Sequence, residues 1–229
     1  MFRHRVEWGQ EAEIVPSHLF YLSGCDLRCV FCIAGIKAFD PGLGEELTGV
    51  FFNDAVAWGK MRGATNIQWV GGEPTIHIPH ILSVMAGCPD LPPVVWKSDF
   101  YGTPEAFALL DAVVDTYVAD LKFGNNACAH RLAGVSDYIE VVHRNLTDVA
   151  SAGKKLIVRH LMLPGHESCC FAPIVDWLKE NLAATPVSLW DGYLPSWRSA
   201  HFSELAGPLG PAEARRAQSL ARSAGLKVL

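Results

Sequence analysis

Long apolar runs are missing from this chain of 229 residues. Nothing in it approaches the roughly 20 consecutive apolar residues that cross a bilayer, and the opening MFRHRVEWGQEAEIV lacks the apolar core of a secretory signal. A cytoplasmic protein with no membrane partner is expected. Blocks of like charge are missing too: 19 Lys and Arg against 24 Asp and Glu leave a net charge of −5, dispersed along the sequence. That argues against a surface for phosphate backbones, so no nucleic-acid partner is expected. Neither internal repeats nor low-complexity linkers mark a boundary, which favours one domain over residues 1–229. An even set of regularly spaced cysteines is also lacking; there are seven, two of them adjacent in SCCF (Cys169, Cys170). Reduced thiols or metal ligands fit that pattern better than a disulfide framework.

What is present is alternation. Short apolar runs (IVPSHLFYLSG, NIQWVGG, PPVVWKSDF, TYVADLKF, KLIVRHLML, PVSLWDGY) are separated by longer stretches of helical character, several ending at glycine. The runs are nearly continuous in apolar residues, as strands covered on both faces are. Repeated βα units predict an α/β fold with a parallel sheet and right-handed crossovers. Six units fall short of the eight that close a full barrel, so a laterally open partial (β/α)6 barrel is expected. Its core would span about residues 15–195, with a C-terminal helix at about 211–224; the irregular loop 33–53 is a candidate lid. The C-terminal ends of such strands carry the chemistry. SGC, GGEP, KSDFYG, ADLKF and LPGH all fall at those ends.

The first of these ends opens the stretch SGCDLRCVFC, which places Cys25, Cys29 and Cys32 within eight residues. Three thiols cannot pair off as disulfides and cannot complete a four-sulfur zinc site. A lone C-x2-C could be a redox dithiol or half a zinc site, and three nearby thiols could be chance. Zinc would need a fourth sulfur or nitrogen, and His18 lies at the opposite end of its predicted strand. A [4Fe–4S] cube takes one cysteine per iron, so three cysteines leave one iron open to a ligand. That reading fits best.

The C-x3-C-x2-C spacing, with Phe31 before the last cysteine, resembles the signature of the radical S-adenosylmethionine (SAM) superfamily, and GGEPT resembles its glycine-rich SAM-binding segment. KSDFYG, YVADLKF, LAGVSDY and LIVRHLMLPGHE are similar in order and spacing to the pyruvate formate-lyase activating enzymes and their uncharacterised relatives. The resemblance implies a radical SAM fold and Cys25, Cys29 and Cys32 as ligands of a [4Fe–4S] cluster. It implies SAM bound through its amino and carboxylate groups and cleaved reductively to a 5′-deoxyadenosyl radical that abstracts hydrogen from a substrate. It also implies Asp99 and Asp120 beside SAM with a monovalent cation, Lys122 at the SAM carboxylate, and an electron donor such as flavodoxin or ferredoxin. The chain departs from many glycyl-radical activators in following the third cysteine with Ile33-Ala34 instead of a polar pair.

Chemistry agrees with these placements. Gly71 and Gly72 let backbone approach a ligand, and Glu73 can accept from an ammonium. Carboxylate oxygens at Asp99 and Asp120 suit an alkali ion, and the Lys122 ammonium suits a carboxylate. Arg159, within LIVRHLML, shares a strand face with Ile157 and Leu161; it is expected to meet either a SAM carboxylate or a structural ion-pair partner. His201 and Tyr193 are weaker candidates for the SAM adenosine. His166 reads as an exposed loop histidine, and Cys88, Cys128, Cys169 and Cys170 as ordinary thiols with no second C-x2-C. Three functions compete: hydrogen abstraction from a protein or peptide, a glycyl site included; radical chemistry on a small molecule of a biosynthetic pathway; and a non-catalytic iron–sulfur carrier or redox sensor.

Overall fold

The computed structural model describes residues 1–9 and 11–229. Its elements are β1 (Arg3–Glu7), β2 (Ser17–Leu22), α1 (Ile36–Phe39), α2 (Gly49–Met61), β3 (Asn66–Gly71), α3 (Ile78–Ala86), β4 (Val94–Ser98), α4 (Pro104–Asp111), β5 (Thr116–Asp120), α5 (Asn126–Ala133), α6 (Tyr138–Ser151), β6 (Lys155–Leu161), α7 (Ala172–Asn181), β7 (Pro186–Trp190), α8 (Pro211–Ser223) and β8 (Lys227–Val228). The six apolar runs became β2 to β7. Strands hydrogen-bond in sequence order, β1 to β8, with no ladder between β8 and β1 among the described residues, so the sheet is open.

Two edge strands extend the expected open, parallel six-strand core. β1 adds an antiparallel edge, Arg3 opposite Tyr21 and Glu7 opposite Ser17, and β8 adds a two-residue parallel edge beside β7. Both are short; RHRVE has no apolar run to betray it, and charged side chains are what edge strands carry to discourage further pairing. The β2–β3, β3–β4 and β6–β7 ladders are parallel, as expected.

The chain divides into two compact units. One comprises Met1–Asp26, Ile36–Ser98 and Thr103–Tyr117; the other comprises Leu27–Gly35, Asp99–Gly102 and Val118–Leu229. In the first, Phe20, Phe52 and Trp69 are fully buried, with Phe52 stacked on Trp69 at 5.4 Å between ring centroids. Helix α2 starts where the Thr48 hydroxyl accepts from the Phe51 amide at 3.2 Å, which satisfies an otherwise orphaned donor of the first turn. In the second unit, α5 begins at an Asn125 cap and ends at Gly134, whose φ of 79° suits glycine and lets its amide bond His130. Leu132, Tyr138, Val142 and Leu146 fill that unit's core from α5 and α6.

Beneath β1 and α2 lies a histidine pair, His4 Nδ1 to His18 Nε2 at 2.9 Å. A Cβ at Gly59 would overlap the ring of His18, which is buried and cannot swing away. Gly59→Ala is expected to cost about 1–3 kcal/mol through this overlap; a thermal midpoint equal to that of the parent chain would refute it. Burial first, and the neighbouring His4 second, push His18 down to about 4, and burial does the same to His143 and His160. The unfolded chain takes up these protons near pH 6.5, whereas the folded chain resists until about 4. Stability is therefore full above about pH 6.5 and lost as pH falls toward about 4. The urea midpoint should drop between about pH 7 and about pH 4.5; a flat profile would contradict the buried neutral histidines.

Candidate functional site

Two strand ends of interest lie in the first unit. β2 leads into Ser23, Gly24 and Cys25, and β3 into Gly71, Gly72 and Glu73. They are laced by backbone: the Gly72 amide donates to Leu22 O at 2.7 Å and the Glu73 amide to Gly24 O at 2.8 Å. A Cβ at Gly71 would overlap the Leu22 backbone and one at Gly72 the Gly24 carbonyl, and Gly71 adopts φ 131°. The glycine pair thus makes room for the chain that carries Cys25. The carboxylate of Glu73, 1% exposed, accepts from the Thr75 amide at 2.9 Å and caps the turn Pro74–His77. His77 Nε2 donates to Ser23 O at 2.6 Å, a further tie between the two strand ends.

Cys29 and Cys32 lie in the second unit. Amides on either side of Cys29 are held by the end of α5, Arg28 N to Ala133 O and Val30 N to Leu132 O, both 2.9 Å. Cys32 N returns to Cys29 O at 3.2 Å, closing a turn, and Phe31 packs on Phe123. None of the seven cysteines forms a disulfide.

Asp99, 4% exposed, follows β4 and accepts from the Tyr101 amide at 3.0 Å. The intervening Phe100 has φ 61°, a costly backbone for a bulky side chain that persists only where its surroundings enforce it. Asn145 of α6 supplies that enforcement, donating from Nδ2 to Phe100 O at 2.8 Å and Gly102 O at 2.9 Å, while Arg144 Nη2 also donates to Gly102 O. At the end of β5, Lys122 Nζ lies 3.1 Å from Asp120 Oδ2, and Arg159 Nε of β6 lies 3.5 Å from Asp120 Oδ1. The Arg159 guanidinium sits 4.1 Å over the Trp190 ring, so this residue has an ion-pair and a stacking partner within the fold. Burial alone would lower the Lys122 pKa, but Asp120, Cys29, Asp99 and Tyr138 outweigh it and hold the ammonium well above its usual value. The Tyr138 hydroxyl accepts from the Lys122 amide at 2.8 Å. Asp99, Asp120, Lys122, Arg159 and Cys29 thus belong to one electrostatic group, fixed by Asn145 and Tyr138, which the sequence reading missed.

Two weaker candidates remain. Tyr193 is buried and donates to Leu205 O at 2.8 Å, and His201 is exposed. His166 corrects expectation: it is 4% exposed, turned inward with Cys128, Cys169 and Cys170.

The geometry is that of a thiol-rich α/β protein with a carboxylate–ammonium group at its strand ends, and comparison with known proteins gives the class. Residues 19–178 match the radical SAM superfamily, and the chain belongs to it. Its fold is the radical SAM fold, and its cofactors are those of the family, a [4Fe–4S] cluster and SAM. An uncharacterized protein of Methanocaldococcus jannaschii is 32% identical over 233 residues, covering 96% of this chain and 66% of that protein. SuiB of Streptococcus suis, solved with its precursor peptide SuiA, is similar in fold with TM-score 0.65 and 18% identity, over 91% of this chain and 48% of SuiB. A domain of pyruvate-formate lyase-activating enzyme from Bacteroides vulgatus gives 0.58 and 15%, over 72% of this chain and 98% of that domain. A radical SAM methyltransferase from Sphaerobacter thermophilus gives 0.63 and 14%, over 93% and 65%. The chain therefore spans about two thirds of the archaeal relative and half of SuiB.

Taken by chemical type, the donors fit these cofactors: thiols free of disulfides, a buried carboxylate at Glu73 within the first unit, and an ammonium kept charged at Lys122 within the second. Asn145→Ala should lower stability by about 1–3 kcal/mol by leaving the Phe100 and Gly102 carbonyls short of donors. An unchanged urea midpoint would show that the Asp99 turn holds itself.

Proposed function

We propose that this chain holds a [4Fe–4S] cluster on Cys25, Cys29 and Cys32, cleaves SAM to a 5′-deoxyadenosyl radical, and removes hydrogen from a protein or peptide substrate, a glycyl Cα–H included. One observation carries the reading: thiols in the C-x3-C-x2-C spacing, with the GGE segment hydrogen-bonded to the residue just before the first of them. When bound, the cluster supplies the electron that splits a carbon–sulfur bond of SAM. The chain's own residues bind and orient. Glu73 accepts from the SAM ammonium, and Lys122, protonated throughout the physiological range, pairs with its carboxylate. Asp120 is shared between Lys122 and Arg159, so Lys122 can turn to the ligand without leaving that carboxylate unbalanced. The carboxylates of Asp99 and Asp120 suit a monovalent cation beside the ligand.

A peptide is favoured over a small molecule by the surface following Cys32. Ile33 is 86% exposed, and Leu194 and Trp197 are exposed on the segment that packs against Gly35. Apolar side chains of a polypeptide would cover them. The fold neighbours solved with a precursor peptide, or belonging to a glycyl-radical activator, are consistent with that class. A flavodoxin- or ferredoxin-type donor would supply the electron.

Anaerobic reconstitution with iron and sulfide, followed by dithionite and SAM, should release 5′-deoxyadenosine, and deuterium from a labelled peptide should appear in it. An intact cluster that yields no 5′-deoxyadenosine sinks the reading; deuterium arriving only from small molecules sinks its substrate class. Cys25→Ala, Cys29→Ala and Cys32→Ala should each lose the cluster, whereas Glu73→Ala should keep iron while weakening SAM binding by about 10–100-fold. Full cluster retention in any cysteine variant would contradict the ligand set.

A further inference from the structure

Thirty-eight residues separate Cys128, at the first turn of α5, from His166, Cys169 and Cys170, in the turn after β6, yet their ligand atoms all lie within 4.8 Å of one another. Residues Glu167–Phe171 form a π-helical turn in which the Cys170 and Phe171 amides both bond His166 O, at 3.0 and 3.1 Å. The i, i+3 and i+4 spacing of His166, Cys169 and Cys170 puts them on one side of that turn. Such widened turns recur at functional sites. The separations are specific: Cys128 Sγ to Cys169 Sγ 3.8 Å, Cys169 Sγ to His166 Nδ1 3.4 Å, and Cys170 Sγ to His166 Nδ1 3.5 Å.

We propose that these four residues form a closed Cys3His site for one tetrahedral zinc ion. Bonds of about 2.3 Å to sulfur and about 2.0 Å to nitrogen at tetrahedral angles put two sulfurs about 3.8 Å apart, and a sulfur and nitrogen about 3.5 Å apart. The Cys128–Cys169 separation matches the first value and the two sulfur–His166 separations match the second. An iron–sulfur cube is excluded by the same distances, because its cysteines sit on different irons and their sulfurs point away from one another. A disulfide accounts for two thiols and leaves the third and the imidazole unexplained.

The surroundings suit a metal. Asn125 Nδ2 is directed at the sulfurs of Cys128 at 3.4 Å and Cys170 at 3.8 Å, an N–H donor placed for thiolates. On the far side of the imidazole, Glu204 Oε1 lies 3.9 Å from His166 Nε2, where metal-bound histidines keep a carboxylate; Arg131, paired with Glu204, lies 3.4 Å from the same nitrogen. Cys128, His166 and Cys170 are buried and Cys169 half-buried, so no coordination position faces open solvent. The site is structural: it ties the turn after β6 to the start of α5.

Metal analysis of the purified chain decides the matter independently of SAM cleavage. About one zinc per chain is expected, retained in the Cys25→Ala/Cys29→Ala/Cys32→Ala variant and reduced to below about a tenth in Cys169→Ser/Cys170→Ser. His166→Cys should keep the ion as a four-sulfur site while His166→Ala weakens it, which separates coordination from misfolding. Cobalt added to metal-depleted chain should give tetrahedral d–d bands and thiolate charge transfer, and Cys128, Cys169 and Cys170 should resist alkylation until a chelator is added. Zinc at trace level, zinc unaffected by Cys169→Ser/Cys170→Ser, or iron with sulfide at these residues would overturn the proposal.

Discussion

Everything at the first strand ends depends on a backbone contact that tolerates no side chain. Gly72 is pressed so close to the Gly24 carbonyl that a single methyl group would occupy the same space, and two amide donors, Gly72 and Glu73, hold the strand ends in that register. SGC and GGE are therefore one structural object, although 47 residues separate Gly24 from Gly71. The consequence is chemical. The residue preceding the first thiol and the residue bearing the buried carboxylate cannot move independently, so the position of Cys25 relative to Glu73 is fixed by the protein before any cofactor arrives. Preorganisation of this kind is what lets binding energy orient a ligand without being spent on ordering the site.

The charged group of the second unit follows a different logic, balance instead of fit. Asp120 faces both Lys122 and Arg159, Asp99 is buried against its own turn, and the Lys122 ammonium stays charged because four groups outweigh its desolvation. Removing one partner of such a set leaves an uncompensated buried charge, which costs more than the pair contributes. The strained backbone at Phe100 belongs to the same arrangement. It aims Asp99, and its cost is offset by the hydrogen bonds of Asn145 and Arg144 from α6.

How much of this could be read from sequence follows from the range over which each signal acts. The six central strands were legible because burial on both faces writes itself as continuous apolar runs. β1 and β8 were not, since an edge strand is stabilised by pairing partners the sequence does not name. The location of Asp99, Asp120 and Lys122 at strand ends was legible from the apolar runs before them, whereas their role toward SAM comes from the resemblance alone. Asn145 and Tyr138 were missed because they act from α6, where an asparagine and a tyrosine look like ordinary helix residues. His166 looked exposed in a polar LPGHE turn, and only the π-helical turn behind it rotates the ring inward. Cys128 defeats any spacing rule, because its partners lie on another element.

Six of the seven thiols, all but Cys88, thus fall into two sets with opposite demands, and α5 connects them. As proposed, the Cys25–Cys32 loop would hold irons that each take one sulfur, and so keep its ligands apart; the side-chain donor atoms of Cys128, His166, Cys169 and Cys170 lie within 4.8 Å of one another, close enough for one ion. The first turn of α5 carries Cys128, and its last residues carry the Leu132 and Ala133 carbonyls that hold the amides flanking Cys29. A helix of eight residues is too short to be stable by itself and takes its rigidity from what is fastened to its ends. Fastening the start of α5 to the turn after β6 through a metal ion would therefore steady the end that supports Cys29. On this view a metal ion at the Cys128 set would perform no chemistry; it would limit the freedom of the loop proposed to hold the cluster.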